Sequence, residues 1–252
     1  MHIKTGRRAL LAILLFCFTV KSNGQRRMNS IEVGINLGTF IYQGDLTPER
    51  FGSSKTPGYQ LSFFINKIIS KSFSVRANFS IGKLRGDESL YKSPAYRQQR
   101  NFAFKTPVTE FAGLFVWDIL NKNFSSEIHS GLRPYIMAGP GISFVHIKRD
   151  WSRFNSEYFA GTGLPARLTL DEQHSLPKIL PVIPVGAGIR YSVSEKLSIN
   201  AETIYRITFS DYIDGFSQAA NPSRNDHYQS YSVGLIFSFD KKNRLNCPVL
   251  KN

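Results

Sequence analysis

The sequence predicts an all-β protein, an eight-stranded antiparallel transmembrane up-and-down β-barrel with long extracellular loops. Three observations carry the prediction. Apolar and polar residues alternate with a period of two over segments of about ten residues, repeatedly along the chain. After residue 24, no stretch has the roughly 18 uninterrupted apolar residues that would argue for a spanning helix. The connections between the alternating segments are alternately short and long, and the segments are even in number, as in outer-membrane barrels.

The chain opens on a targeting segment. Lys4, Arg7 and Arg8 precede an apolar run from Ala9 to Val20, and Ser22-Asn23-Gly24 supplies small and polar residues before Gln25. The run is too short for a membrane span. Residues 1–24 therefore read as a signal peptide, 25–239 as the barrel and 240–252 as a periplasmic C-terminal tail. Losing the segment removes Lys4, Arg7, Arg8 and Lys21 but no acidic residue, so the formal charge falls from +14 to +10. A pI near 9.9 first suggests a nucleic-acid binder. An exported chain seldom meets nucleic acid, and that partner is set aside. Two cysteines exclude a disulfide-stapled mini-fold and a Cys-rich metal module, and only Cys247 follows the signal.

In the first strand, Ile31, Val33, Ile35 and Leu37 oppose Glu32, Gly34, Asn36 and Gly38. Tyr59, Leu61, Phe63 and Ile65 mark the second, and Phe73, Val75, Ala77, Phe79 and Ile81 the third. In the fourth, Phe111, Phe115, Trp117 and Ile119 share a face opposite Glu110. The fifth and sixth, near 133–147 and 182–193, are glycine-rich. The seventh is the clearest, with Leu197, Ile199, Ala201, Thr203, Tyr205, Ile207 and Phe209 on one face and Ile204 the one apolar residue on the other. Tyr231, Val233, Leu235, Phe237 and Phe239 mark the eighth. Long connections cover 41–57, 84–106, 148–180 and 210–227; short ones lie near 67–72, 121–130 and 194–196. A soluble barrel would turn the apolar face inward. Here the apolar faces carry large aromatics suited to lipid, and the opposite faces carry Ser, Asn, Gly and charges suited to a small lumen.

An eight-stranded interior is just wide enough for side chains to fill. Glu32, Arg76, Glu110, Arg190, Glu202 and Arg206 fall on lumen faces, and unpaired burial would be costly, so a paired network that plugs and stiffens the barrel is expected. At the loop end, Asp45, Asp211 and Asp214 are placed to tie the first and fourth long loops together. Three carboxylates are also hard ligands, but no calcium-loop spacing is present, and neither metal nor cofactor is expected. For hydrolysis the candidates are His146, His174 and His227, the last beside Asp226. Ser143 and His146 are three apart and so face opposite sides of a strand, and no catalytic site or small-molecule substrate is inferred.

Arg85, Lys92, Arg97, Arg100 and Lys105 in the second long loop, with Lys148, Arg149, Arg153, Arg167 and Lys178 in the third, suit contact with outer-membrane lipid and lipopolysaccharide head groups. Trp151, Phe154, Tyr158 and Phe159 suit a folded extension above the membrane, with 166–170 expected to add a short hairpin. In the tail, Lys241, Lys242, Arg244 and Cys247 offer contacts to a periplasmic partner.

Tyr42-Gln43-Gly44-Asp45-Leu46 after the first strand, and Thr208-Phe209-Ser210-Asp211-Tyr212-Ile213-Asp214-Gly215 after the seventh, are the most distinctive motifs. With Pro134-Tyr135, Gly139 and Gly141, and Pro184-Val185-Gly186 and Gly188, the chain resembles the outer-membrane β-barrel family of Bacteroidota that contains the type IX secretion component PorG. The resemblance spans essentially everything after residue 24. It implies a non-enzymatic structural barrel in the outer membrane of a Gram-negative bacterium, with both termini periplasmic. It further implies association with the periplasmic ring proteins of a secretion or gliding machinery. The alternatives from other classes are a surface-loop binding or adhesin barrel, and a hydrolase acting at the rim.

Overall fold

The computed structural model describes residues 30–70, 72–120, 132–194 and 196–239. The signal segment, the connection at 121–130, and the tail with Lys241, Lys242, Arg244 and Cys247 lie outside the described residues. The period-two stretches form the strands β1 (Ile31–Gln43), β2 (Gly58–Ile68), β3 (Phe73–Asp87), β4 (Ala103–Asp118), β5 (Leu132–Ala138), β6 (Gly141–Val145), β7 (Lys148–Asp150), β8 (Ile179–Ser192), β9 (Leu197–Thr208) and β10 (His227–Phe239). Two helices, α1 (Tyr96–Arg100) and α2 (Leu164–Gln173), lie in the long connections.

Every neighbouring pair is antiparallel, from β1–β2 through β3–β4 and from β8–β9 to β9–β10. β5, β6 and β7 run end to end along β4, and β5 and β6 pair with β8 on their other side. β10 pairs with β1 from Ile31↔Phe239 to Gln43↔His227, which closes the sheet into a ring. The ten segments therefore occupy eight positions in a barrel.

The structure departs from the sequence expectation in three places. The single strand expected over 133–147 is interrupted at Gly139-Pro140, because Pro140 has no N–H for the ladder. Three of the four long connections are shorter than expected. β3 and β4 stay paired as far as Asp87↔Ala103, and β7 takes residues from the third loop. The hairpin expected at 166–170 is instead part of α2. Pro165 in the first turn suits a helix start, and the buried side chains Leu168 and Asp171 fall on one face at helical spacing.

Alternation then sorts the side chains. Leu37, Phe115 and Val233 point outward at 62%, 66% and 63% exposure, whereas Asn36, Arg76 and Ser230 point inward and are fully buried. A band of exposed Ile, Val, Leu, Phe and Trp encircles a polar interior, the reverse of a water-soluble barrel and the arrangement that lipid stabilises. No described helix is long and apolar enough to cross a membrane. Inside the barrel, Ile204 joins Ala112, Leu114, Val116, Tyr135 and Met137 in a small apolar cluster. A second, larger cluster lies at the end where the long connections meet.

Candidate functional site

Two inward-facing systems lie along the barrel axis. In the lumen, the six charges identified from the alternation are brought together as three Arg–Glu pairs. Nearest the short-turn end, Arg190 grips Glu32 with two hydrogen bonds of 2.8 and 2.9 Å, and Asn66 and Ser238 also donate to that carboxylate. Higher up, Glu202 accepts from Arg76 at 2.6 Å, from the Tyr135 hydroxyl at 2.5 Å and from Asn36 at 2.9 Å. Nearest the loops, Arg206 meets Glu110 at 3.0 Å, and the Tyr228 hydroxyl donates to the same carboxylate at 2.7 Å. The Arg76 guanidinium also lies 3.9 Å over the Phe64 ring, which shields it further. Pairing of this geometry offsets the desolvation that burial imposes on each ion.

Above the Arg206 tier, the long connections fold into a cap. Phe40, Leu46, Leu84, Phe102, Phe104, Ile213 and Phe216 are buried together there, with the Phe102 and Phe216 rings stacked at 4.2 Å. Trp151 packs edge-on to Phe216, and Phe154 stacks on Phe159, so the aromatic third loop does build an extension. Among the described residues, the apolar cap closes the loop end and the ion-pair tiers fill the space below it.

The distinctive motifs are the fastenings of this cap. The Tyr42 hydroxyl is 2.6 Å from Asp214 Oδ2 and 2.6 Å from Asp226 Oδ1. One hydroxyl donates only once, so the second short contact requires a proton on a carboxyl: the two acids and the phenol share one extra proton. Burial, with like-charge repulsion between the acids, raises Asp214 well above the ordinary carboxylate range; burial likewise raises Asp226. Gly44 passes directly over this junction, where a Cβ would collide with Asp226 and the Tyr42 hydroxyl. Gly215 sits at φ +90°, in the left-handed region, and its carbonyl accepts from Arg149. Asp45 Oδ2 accepts from the Asn221 N–H at 2.7 Å, which joins the first and fourth loops. Asp211 lies nearby, but neither of its carboxylate oxygens finds a hydrogen-bond partner among the described residues, so it does not tie the loops as expected; burial raises it to about 7, and the charges of Asp45 and Asp171 reinforce the shift. Among the described residues, no group of His, Cys, Asp or Glu is arranged to hold a metal ion.

Two further anchors were not singled out from the sequence. Asp171 on α2 is fully buried and accepts from the N–H groups of Ser217, Gln218 and Ala219 at 2.8 to 3.3 Å. Glu88 is also fully buried and receives Arg97 at 2.8 Å and Arg100 at 2.5 and 2.9 Å. Arg97 and Arg100 are therefore internal fasteners, which corrects their expected place among the lipid-facing loop charges. Arg97 also donates to the Asp45 carbonyl and Arg100 to the Ala219 carbonyl. Their spacing to Glu88 is unremarkable in the sequence; the only signal was a carboxylate amid a basic loop.

The histidines are dispersed. His227 Nδ1 accepts from the Thr208 N–H, and His174 stacks on Tyr212 at 4.1 Å. His146 is exposed on the outer face, whereas Ser143 is buried and bonded to Tyr228 at 2.8 Å. Asp226, next to His227 in sequence, is committed to Tyr42 and to the Ile213 N–H.

A family model described as a domain of unknown function (DUF6089) matches residues 7–242. No curated protein matches the sequence. Among solved structures, the chain is similar to Neisserial surface protein A at 14% identity, with 83% of this chain and 97% of that chain covered and a TM-score of 0.48. It is similar to the attachment invasion locus protein Ail of Yersinia pestis at 11% identity, covering 84% and 100%, with a TM-score of 0.45. It is similar to the outer membrane protein OprG of Pseudomonas aeruginosa at 11% identity, covering 86% and 99%, with a TM-score of 0.46.

Proposed function

The chain belongs to the DUF6089 family, and on that premise we propose that it is a non-enzymatic scaffold barrel of the Gram-negative outer membrane that anchors the periplasmic ring of a type IX-like secretion or gliding machinery. The observation that carries the structural part is the filled interior. Three buried ion-pair tiers lie under an apolar cap, and the candidate histidines and carboxylates are held apart or engaged in structural bonds. A barrel filled in this way works through its outer surfaces. In this reading both termini lie in the periplasm, the long connections are extracellular, and residues 1–24 direct export. The secretion role rests on the motif resemblance, and residues 240–252 are the proposed partner contact.

The test is a mild-detergent pull-down from native membranes with the full chain and with a chain lacking 240–252. The scaffold reading expects periplasmic ring components with the full chain and their loss with the truncated one. Recovery of no ring component with the intact chain would sink it. One observation favours a second reading, a surface-binding barrel: Phe51, Tyr158 and Leu170 stand exposed on the cap connections. That reading expects capture of an external ligand that is abolished by substituting these three and unaffected by removing the tail.

A further inference from the structure

The strand register assembles a row of unpaired cations on the outer face. Arg85 on β3 is directly across from Lys105 on β4, which is directly across from Lys148 on β7. All three are exposed and point outward, because they share the face of the exposed Phe111 and Phe144. Lys83, two residues before Arg85, extends the row on β3, and exposed Lys178 adjoins the start of β8. None of these five forms an ion pair among the described residues.

Like charges directly opposite in a sheet are destabilising, since their Cβ atoms are only about 5 Å apart. The position in the barrel supplies the compensation. On β3 the row begins two residues beyond outward-facing Ile81, on β7 it lies four residues beyond exposed Phe144, and Lys178 immediately precedes exposed Ile179. The cations thus begin where the apolar band ends, at the loop side. The acids nearby are Asp87 and Asp150, in the next row outward; Asp87 faces Arg153 at 3.4 Å, and Asp150 accepts from the Ser152 N–H and feels the charges of Arg153 and Lys105. The local excess remains positive.

We propose that Arg85, Lys105 and Lys148, flanked by Lys83 and Lys178, form a binding site for the phosphate groups of an anionic phosphoglycolipid in the outer leaflet. The acyl chains of that lipid lie on the apolar wall formed by Phe111, Ile142 and Phe144. The geometry matches a headgroup that carries negative charge at the boundary where its chains begin. This rests on the membrane-barrel reading and adds to it a defined lipid site on one side of the wall.

The test uses the full chain folded into phosphatidylcholine nanodiscs doped with bisphosphorylated lipid A, with bound lipid counted by native mass spectrometry. Retention of lipid A is expected to fall about tenfold or more in the R85Q/K105Q/K148Q variant. It is expected to stay unchanged in K67Q, at the other end of the outer face, and to fall when dephosphorylated lipid A replaces the probe. Millimolar inorganic phosphate is expected to leave the lipid bound. Equal retention by the triple variant, indifference to dephosphorylation, or complete displacement by inorganic phosphate would each overturn the site. Heat-modifiable gel mobility, measured in parallel, separates the two levels. A wild-type chain that lacks it and fails to enter discs overturns the membrane reading itself, whereas a shifted, inserted chain that ignores lipid A overturns only the site.

Discussion

The lumen and the cap both bury carboxylates, but they stabilise them by different means. In the lumen three glutamates meet arginines, Glu32–Arg190, Glu202–Arg76 and Glu110–Arg206. Among the described acids of the cap, Glu88 does so, whereas Asp171 is held by backbone N–H groups, and Asp214 and Asp226 share a proton with Tyr42. The difference follows from what each region has at hand. Strands spend their N–H groups on the ladder and can offer only side chains, whereas loops have free N–H groups to give. The raised cap acids therefore make the cap the region that responds to pH.

The largest effect that would break this contrast is expected from Glu202→Gln. It leaves Arg76 buried without a counter-charge and should cost about 3–5 kcal/mol in urea unfolding from lipid vesicles. The double variant Arg76→Met with Glu202→Leu should recover much of that loss; a double variant as unstable as the single would show that the pair does more than neutralise itself. Next comes Tyr42→Phe, which removes the hydroxyl that bridges Asp214 and Asp226 and should cost roughly 1–3 kcal/mol. The loss should register in the cap before the wall. Trp151 in the cap and Trp117 on the wall allow this to be seen, each in a variant with the other changed to Phe.

A smaller, pH-dependent effect should follow from Asp211, whose folded value of about 7 lies above the ordinary carboxylate value near 4. A raised value means that the closed cap favours the protonated acid. Its contribution is complete below pH 4, is lost as pH climbs towards 7, and is flat beyond. Asp214 and Asp226 shift in the same direction and extend the loss to higher pH. Trp151 fluorescence should therefore report a looser cap at pH 8 than at pH 5, with Trp117 unchanged; a loosening on acidification would contradict the shared proton. The smallest effect is expected from Asp226→Asn, about 1 kcal/mol or less near neutral pH, because the amide replaces a carboxyl of a pair that already holds a proton. Its signature is a shallower pH profile of Trp151 rather than a lower midpoint.

The wall and the lumen were legible in the sequence because a strand's two faces are written as odd and even positions. Glu32, Arg76 and Glu202 declare their side by parity alone. Parity does not say which Arg meets which Glu, since that depends on strand tilt and stagger around the ring. The cap was legible only through its motifs. Asp45 and Asp214 stood out because they follow strands, but Asp171 looked like one more polar residue in a loop. Its helix buries only Leu168 and Asp171, too few for a recognisable stripe. Arg97 and Arg100 misled because a charge in a long connection is usually solvated, and here Glu88 drew both inside.

Ring closure by β1 and β10 also constrains how the molecule is made. Ile31 and Phe239 are neighbours in space and lie at opposite ends of the described chain. Until the last strand has been delivered, β1 and β9 both present open edges, and an open edge is a liability in lipid as well as in water. A chain stopped short of β10 has no register to complete. The ring can close only once the final strand is present to meet the first.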